Sequence, residues 1–270
     1  MQGIILAVLL GWAGGYRFYK KQYGLGFLYF FTGGIGGIGW IIDIIIAIKE
    51  YIHPAPVKTE EIVPRPSYLT ISRTLYTEEP HRYATNIANQ KHYIVYDFET
   101  TGVDPHYCEI IEIGALKISD GQIVDSFQSF VKPFYSIPAD AIEIHNITNE
   151  MVQDAPTAEQ IIPSFIDFLG DSKLVGYNNA RFDHIILKRY AMAICNVQIN
   201  NSISDVYSLC RKKLDLKRYR LSDVAAYFKI QPSNIHRSLG DCETTWECFK
   251  KLQDIYKKEI ADKKAQKNET

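Results

Sequence analysis

The hydrophobic and polar positions divide the chain into two parts with different patterns. Residues 1–48 carry almost no charge, and a short basic turn separates an apolar stretch at 3–15 from a longer one at 25–48. The longer stretch exceeds the roughly 20 residues that cross a bilayer, whereas the shorter one spans only if Arg17 extends its charged end to the interface. We therefore predict a two-helix transmembrane hairpin at residues 1–48; a buried helical hairpin in a soluble protein is the alternative.

From residue 91 the pattern changes to short apolar strands followed by segments of helical period. Strands are predicted at 93–96, 110–118, 122–131 and 174–177, with a hairpin turn at Ser119-Asp120-Gly121. Helices are predicted at 157–169, 182–194, 203–213, 221–228 and 239–258. Antiparallel strands followed by alternating helix and strand indicate an α/β domain with a mixed sheet flanked by helices.

Residues 49–90 connect these two parts and are predicted to be a linker. They contain prolines at 54, 56, 64, 66 and 80 with mixed charges, and they lack a sustained hydrophobic period. The predicted organisation is therefore the hairpin at 1–48, the linker at 49–90, an α/β domain at 91–255 and a charged C-terminal tail at 256–270.

A formal net charge of −1 gives the whole chain no general attraction for nucleic acid. Positive charge is concentrated locally instead, in a basic cluster opposed only by Asp215. Such a cluster either holds phosphates or is a solvated helix face, and its closeness in sequence to His236 favours neither decisively. The cluster consists of Arg211, Lys212, Lys213, Lys217, Arg218 and Arg220.

Two carboxylates directly follow the first strand of the α/β domain. Asp97 and Glu99 are two residues apart, and because side chains alternate along a strand, both project to the same side. Paired hard oxygen ligands of this kind suit magnesium or manganese. Taken alone, the pair is more typical of a surface turn.

Three further residues that can take part in such chemistry occur later in the chain. Asp183 follows a strand and opens a predicted helix, where an ordinary helix-start acid is the alternative. His236 and Asp241 straddle the start of the last long helix, where the histidine is within reach of a metal-bound water; a structural histidine is the alternative.

In this order and on these elements, the five residues resemble the active-site motifs of the DEDDh 3′–5′ exonuclease family, which includes proofreading subunits of replicative polymerases. Histidine at position 236, where a sister group has tyrosine, selects the DEDDh branch. The resemblance covers residues 91–252 and includes three further motifs, at 109–115, 144–148 and 221–223.

This resemblance implies a ribonuclease H-like fold, with a mixed five-stranded sheet flanked by helices. It implies that two divalent cations, Mg²⁺ or Mn²⁺, are bound by four carboxylates and that His236 takes the proton of the attacking water. The implied ligands are Asp97, Glu99, Asp183 and Asp241. By the same resemblance Thr101 and His145 lie near the terminal nucleotide and Phe182 helps to shape its pocket; a scaffold role is their alternative.

The N-terminal segment resembles a second family, the small two-transmembrane-helix domains. The turn Gly14-Gly15-Tyr16-Arg17-Phe18-Tyr19 and the acidic Asp43 in the second apolar stretch carry this resemblance, which covers residues 3–48. It implies a membrane hairpin and no particular chemistry. Glycines at 33–39 offer small surfaces at helical spacing, where a homo-oligomer could pack.

The cellular compartment is inferred from the thiols and the expected substrate. The five cysteines are scattered without a Cys-x-x-Cys pair, which argues against a disulfide framework or zinc site and is typical of a reducing compartment. The basic residues flanking the second apolar stretch are nearly balanced and do not fix its orientation. We therefore expect a multi-pass membrane protein with its large domain in the cytoplasm.

Together these features predict a membrane-tethered 3′–5′ exonuclease acting on the 3′ end of single-stranded DNA or RNA and releasing nucleoside 5′-monophosphates. No protein partner is identified by the sequence. One alternative is an inactive membrane-anchored module for nucleic-acid binding or assembly, against which the complete set of five residues argues. The other is a polymerase proofreading subunit, which a membrane hairpin would hold away from a moving replication fork.

Overall fold

The computed structural model describes residues 21, 38–52, 64–77, 81, 83–84, 86–232 and 236–268. The chain forms two compact units, Met1–Pro64 and Arg65–Thr270. In the first unit the structure describes one helix, α1 (Ile38–Ile52), in which Asp43 is buried. Among the described residues, no helix is both long enough and apolar enough to cross a bilayer. Most of the predicted hairpin, including the whole first apolar stretch, lies outside these residues.

A mixed sheet of five strands forms the centre of the second unit, as predicted. Its order is β3-β2-β1-β4-β5. The first three strands pair antiparallel, whereas β4 runs parallel to both β1 and β5. The strands are β1 (His92–Thr100), β2 (Ile110–Ser119), β3 (Gln122–Phe130), β4 (Leu174–Gly176) and β5 (Ile203–Asp205).

The fifth strand lies where the sequence predicted the start of a helix. Ile203–Asp205 pairs with β4, and a helix begins only at Val206. All three residues of β5 are buried. A strand of three residues is too short to show alternating apolar and polar side chains. Its one apolar residue, Ile203, therefore reads as part of the hydrophobic pattern of the helix that follows. Asp205 ends the strand and caps that helix, because its side chain accepts the N–H of Ser208.

Helices and short helical turns flank the sheet. The α-helices of the second unit are α2 (Ser67–Thr70), α3 (Thr74–Thr77), α4 (Ala139–His145), α5 (Asn149–Val152), α6 (Ala158–Leu169), α7 (Asp183–Tyr190), α8 (Val206–Lys213), α9 (Leu221–Phe228) and α10 (Ser238–Asn268). A π-helical turn, Ala191–Cys195, continues α7, and 3-10 turns cover Ile87–Asn89 and Asn179–Arg181.

The central strand β1 is buried on both faces because each face packs against a different layer. Ile94, Tyr96 and Phe98 face a core that includes Phe165 of α6. Tyr93 and Val95 face the other core, which includes residues of α10, and the ring of Tyr93 meets that of Phe249 edge to face at 5.2 Å. The odd-numbered positions of β1 therefore point towards α10.

Part of the predicted linker packs against the α/β domain. Tyr68 in α2 is 2% exposed and stacks on Tyr190 with ring centroids 4.4 Å apart. Tyr76 in α3 is buried, and its hydroxyl lies 3.1 Å from Nδ1 of His106. At the other end of the domain, α10 continues to Asn268, through the segment predicted as a charged tail.

Candidate active site

Two acids extend the row of β1 side chains that faces α10. Asp97 and Glu99 continue the alternation of Tyr93 and Val95, so the strand directs both carboxylates to the side on which α10 lies. The first turn of α10 supplies Asp241. One carboxylate oxygen from each of these three acids lies within 4.8 Å of the others, an arrangement that can hold a metal ion.

Asp183 is fixed against the same strand. It is the first residue of α7, is 4% exposed, and accepts the backbone N–H of Phe98 on Oδ1 at 3.2 Å. Phe98 lies between Asp97 and Glu99 in β1, so this hydrogen bond ties the fourth acid to the strand that carries the first two. The structure therefore brings all four predicted acids to the end of β1.

The electrostatics of this cluster favour a bound cation. Burial, followed by the neighbouring carboxylates, raises the pKa of Asp97 well above its ordinary value and raises that of Glu99 to about 8. Burial raises the pKa of Asp183 to about 7 and that of Asp241 to about 6. Partly buried acids that repel one another are stabilised by divalent cations, and hard oxygen ligands suit Mg²⁺ or Mn²⁺. The donor set therefore fits such ions.

His236 lies just before α10 in a left-handed backbone conformation, with φ of +60°. Its side chain is exposed, and a positive charge on its ring lowers the pKa of Asp241, against the larger effect of burial. His236 and Asp241 both line an open cavity of about 270 Å³. The histidine is thus beside the carboxylates and accessible to water.

Comparisons with known proteins agree with this geometry. The family model described as Exonuclease (RNase_T) matches residues 94–249, more than half of the chain. The chain belongs to this exonuclease family. A second model, the TM2 domain, matches residues 3–45 and confirms the resemblance of the N-terminal segment to two-transmembrane-helix domains.

The relatives of the exonuclease domain include polymerase proteins. A DNA polymerase III PolC-type from Thermotoga maritima is 37% identical over 166 residues, 62% of this chain but 12% of the relative. A DNA polymerase III subunit epsilon from Aquifex aeolicus is 32% identical over 161 residues, 59% of this chain and 79% of the relative. The chain thus spans only about an eighth of the length of the PolC-type proteins that it matches.

Solved structures share the fold of the exonuclease domain. Exonuclease X in complex with 5′ overhanging duplex DNA is 26% identical, with a TM-score of 0.50 over 60% of this chain and 92% of that chain. The expected ribonuclease H-like arrangement of a mixed five-stranded sheet flanked by helices is therefore confirmed for the exonuclease domain.

The residues expected near a terminal nucleotide lie at or next to the ends of secondary-structure elements: Thr101 after β1, His145 at the end of α4 and Phe182 before α7. Thr101 immediately follows β1, and its Oγ1 accepts the N–H of Glu109 at 2.8 Å. His145 ends α4, is 3% exposed, and accepts the N–H of Ile147 on Nδ1 at 3.0 Å. Burial lowers the pKa of His145, and the charge of His236 acts in the same direction, so the two histidines are electrostatic neighbours. Phe182 is partly buried against the core beside Asp183.

Glu112 and Arg237, to which the sequence alone assigned no role, form a charged pair near the candidate site. Glu112 of β2 lies directly opposite Glu99 in the antiparallel pairing and is 1% exposed. Arg237 donates from Nε to both of its carboxylate oxygens, at 3.2 and 3.1 Å, and from Nη2 to Oε1 at 2.7 Å. The backbone N–H of Ser238 donates to Oε2 at 3.1 Å. Although burial opposes ionisation, these bonds hold the pKa of Glu112 below its ordinary value.

This pair fixes the start of α10, between His236 and Asp241. A neighbouring glycine allows the approach, because a Cβ at Gly114 would lie 2.6 Å from the backbone of Ser238 and Leu239. The available signal in the sequence was a charged residue, Glu112, in the middle of an apolar strand. Such a residue needs a buried partner, although the sequence does not name it.

Proposed function

We propose that this protein is a membrane-tethered 3′–5′ exonuclease that hydrolyses the terminal phosphodiester of single-stranded nucleic acid to nucleoside 5′-monophosphates. The proposal rests mainly on the convergence of Asp97, Glu99 and Asp241, with ligand atoms within 4.8 Å of one another, beside the buried Asp183. These carboxylates repel one another at the end of a strand in an exonuclease fold. Such a group of carboxylates is suited to binding divalent cations.

In this proposal the four carboxylates hold two Mg²⁺ or Mn²⁺ ions. When bound, such ions supply Lewis-acid stabilisation of the charge that develops on the phosphodiester and lower the pKa of a water molecule. Asp183 is positioned for this role by its bond to the backbone of Phe98, and Asp241 by the anchored start of α10. Both supports are rigid elements, which keeps the ligands preorganised.

His236 is the proposed general base. Its imidazole is exposed and adjoins Asp241, so it can accept the proton of the attacking water and later release it to solvent. The nearby carboxylate of Asp241, whose pKa is lowered by His236 against the larger effect of burial, stabilises the imidazolium that results. Thr101, His145 and Phe182 are the proposed contacts of the terminal nucleotide. Thr101 and Phe182 adjoin the segments that carry Glu99 and Asp183, and the charge of His236 acts on His145.

A second candidate function is proofreading in partnership with a polymerase. It is favoured by the relatives, which are named as DNA polymerase III PolC-type and DNA polymerase III subunit epsilon. A proofreading enzyme would remove a mismatched primer end faster in the presence of its polymerase. A tethered nuclease acting alone would degrade single strands without this dependence.

The activity is tested with the full-length chain purified in a mild detergent and with matched 5′-labelled DNA and RNA oligonucleotides. We expect Mg²⁺- or Mn²⁺-dependent shortening from the 3′ end and release of nucleoside 5′-monophosphates. Asp97→Asn should lower the rate by at least about a hundredfold, since a lost ligand weakens charge stabilisation in the transition state. Asp171→Asn, at an exposed acid in the turn before β4, is the matched control. Absence of metal-dependent activity, or full activity in Asp97→Asn, would refute the proposal.

A further inference from the structure

The cavity that His236 and Asp241 line is also lined by a basic residue, Arg220, whose role has not been described above. His236, Asp241 and Thr244 line it together with Arg220, Leu221 and Ser222. Its volume of about 270 Å³ is near the lower end of the range of small-ligand sites. The cavity therefore connects the proposed site of hydrolysis with the start of α9, where Arg220 precedes the first helical residue.

Arg220 is the member of the basic cluster that lines this cavity. Lys213 pairs with Glu259 at 2.5 Å, and Arg218 lies 3.9 Å from Asp223. Arg211 lies over the rings of two tyrosines. Arg220 is an exposed residue, and it forms no ion pair with any residue that the structure describes. Its charge is thus available to a ligand.

The backbone of Arg220 is nevertheless held in place. Its N–H donates to Oδ2 of Asp223 at 3.2 Å. The preceding carbonyl, of Tyr219, accepts the hydroxyl of Tyr177 at 2.6 Å. Tyr177 directly follows β4, at the start of the loop that leads to Asp183. Arg220 is therefore anchored to the same segment that presents one of the four carboxylates.

We propose that Arg220 binds an internucleotide phosphate of the substrate strand, next to the phosphate that is hydrolysed. This inference rests on the proposed function, which places the scissile phosphate at the carboxylates and His236. The cavity begins at His236 and Asp241 and also reaches Arg220. A phosphate bound by Arg220 would therefore be the next one along the same strand. The planar guanidinium matches phosphate oxygens and reads no base, so the contact positions the strand independently of its sequence.

The test compares two substrates with full-length Arg220→Ala. One is a single-stranded oligonucleotide; the other is the 4-nitrophenyl ester of thymidine 5′-monophosphate, which has one phosphodiester and no neighbouring phosphate. We expect KM for the oligonucleotide to rise about tenfold with kcat within about twofold, because the contact is uniform binding. Hydrolysis of the ester should stay unchanged. Arg218→Ala, which removes the same charge two residues away, should leave both substrates unaffected.

Binding gives a readout that does not depend on turnover. The affinity of a fluorescein-labelled oligonucleotide is measured by anisotropy with Ca²⁺ at several salt concentrations. Loss of one phosphate contact should reduce the slope of log affinity against log salt by about 0.7. Arg220→Lys, which keeps the charge but not the planar fork, should recover this slope and part of the affinity.

Replacement of single linkages by uncharged methylphosphonates locates the contact. Replacement of one particular linkage near the 3′ end should weaken binding to the wild-type chain. The same replacement should have no further effect on binding to Arg220→Ala. Equal loss on both substrates, or loss at every linkage alike, would overturn the assignment to one phosphate. If the wild-type chain hydrolyses neither substrate but the anisotropy differences remain, the proposed hydrolysis fails while the binding site stands. If hydrolysis occurs and Arg220→Ala behaves like the wild-type chain, only the site is refuted.

Discussion

At the residue scale, the site is defined by carboxylates whose pKa values are raised by burial and, for Asp97 and Glu99, also by the neighbouring acids. The pKa of Glu99 rises to about 8, that of Asp183 to about 7 and that of Asp241 to about 6. An acid whose pKa is raised by folding binds its proton more tightly in the folded state. Its stabilising contribution is greatest below the unfolded pKa and is lost as pH rises through the folded pKa.

For metal-free protein, the contribution of these acids to the free energy of unfolding should therefore fall as pH rises from about 4 to about 8. Mn²⁺ should offset the loss by binding the ionised carboxylates, and it should raise Tm more at about pH 8 than at about pH 5. Ligand at a hundredfold excess over Kd stabilises by about 2.7 kcal/mol. Thermal unfolding with EDTA or Mn²⁺ measures the difference. Asp97→Asn should reduce the Mn²⁺ effect, and an identical shift at both pH values would contradict this account.

The Glu112–Arg237 pair supports the site without being a proposed ligand. Glu112→Gln should lower kcat by about tenfold or more with a small change in KM, because it loosens the segment between His236 and Asp241. It should also lower the free energy of unfolding by about 2 kcal/mol, since the partly exposed Arg237 and the buried Ser238 lose a charged partner. Kinetics and urea unfolding measure both effects. The surface pair Lys250–Glu247 provides the control, Glu247→Gln, and an unchanged kcat in Glu112→Gln would contradict a positioning role.

At the element scale, the segment before the sheet belongs to the exonuclease domain. Tyr68 stacks on Tyr190, and its hydroxyl lies 3.4 Å from Oε2 of Glu109. Glu109 also accepts the N–H groups of Phe134 and Tyr135 at 2.7 and 3.0 Å. The short helix α2 therefore packs where β2 begins, next to the loop that carries Thr101. We infer that this segment stabilises the loop as well as the core.

Tyr68→Ala should destabilise the domain by about 3 kcal/mol, because it removes a buried aromatic side chain and leaves a cavity. For a domain of this size that corresponds to a decrease in Tm of about 6–12 °C. Thermal unfolding followed by circular dichroism measures the change. Tyr135→Ala removes a ring that is 49% exposed and should cost far less. Equal effects of the two substitutions would show that α2 is not part of the cooperative unit.

Local sequence patterns predicted part of the candidate site, but they did not predict the contacts between distant elements. Asp97 and Glu99 were predictable because alternation along a strand is local, and the helix starts at Asp183 and near Asp241 were visible as motifs. Three features depend on distant contacts instead: the pairing of β5 with β4, the packing of Tyr68 on Tyr190, and the bond from Arg237 to Glu112. No local pattern identifies such partners, since they are set by tertiary packing between residues far apart in sequence, up to 125 residues for Arg237 and Glu112.

At the scale of the whole molecule, a near-neutral chain carries a nuclease site with strongly localised charge. The net charge of −1 provides no long-range attraction for nucleic acid. In our proposal, binding comes from a few short-range contacts: with cations held by the carboxylates, with the residues proposed to contact the terminal nucleotide, and with Arg220. These contacts fit an enzyme that binds one end of a strand. We propose that the N-terminal segment, which matches the TM2 domain, determines where the protein is located in the cell.

The proposed tether makes a prediction about partitioning. The full-length chain should remain in the membrane pellet after a wash at alkaline pH, because two apolar stretches would have to leave the bilayer for it to dissolve. A chain beginning at Arg65, where the second compact unit starts, should be found in the supernatant with an unchanged rate on short oligonucleotides. Cell fractionation followed by the nuclease assay measures both. Release of the full-length chain by the wash would contradict the transmembrane hairpin, whereas inactivity of a folded shorter chain would show that the N-terminal segment contributes to catalysis.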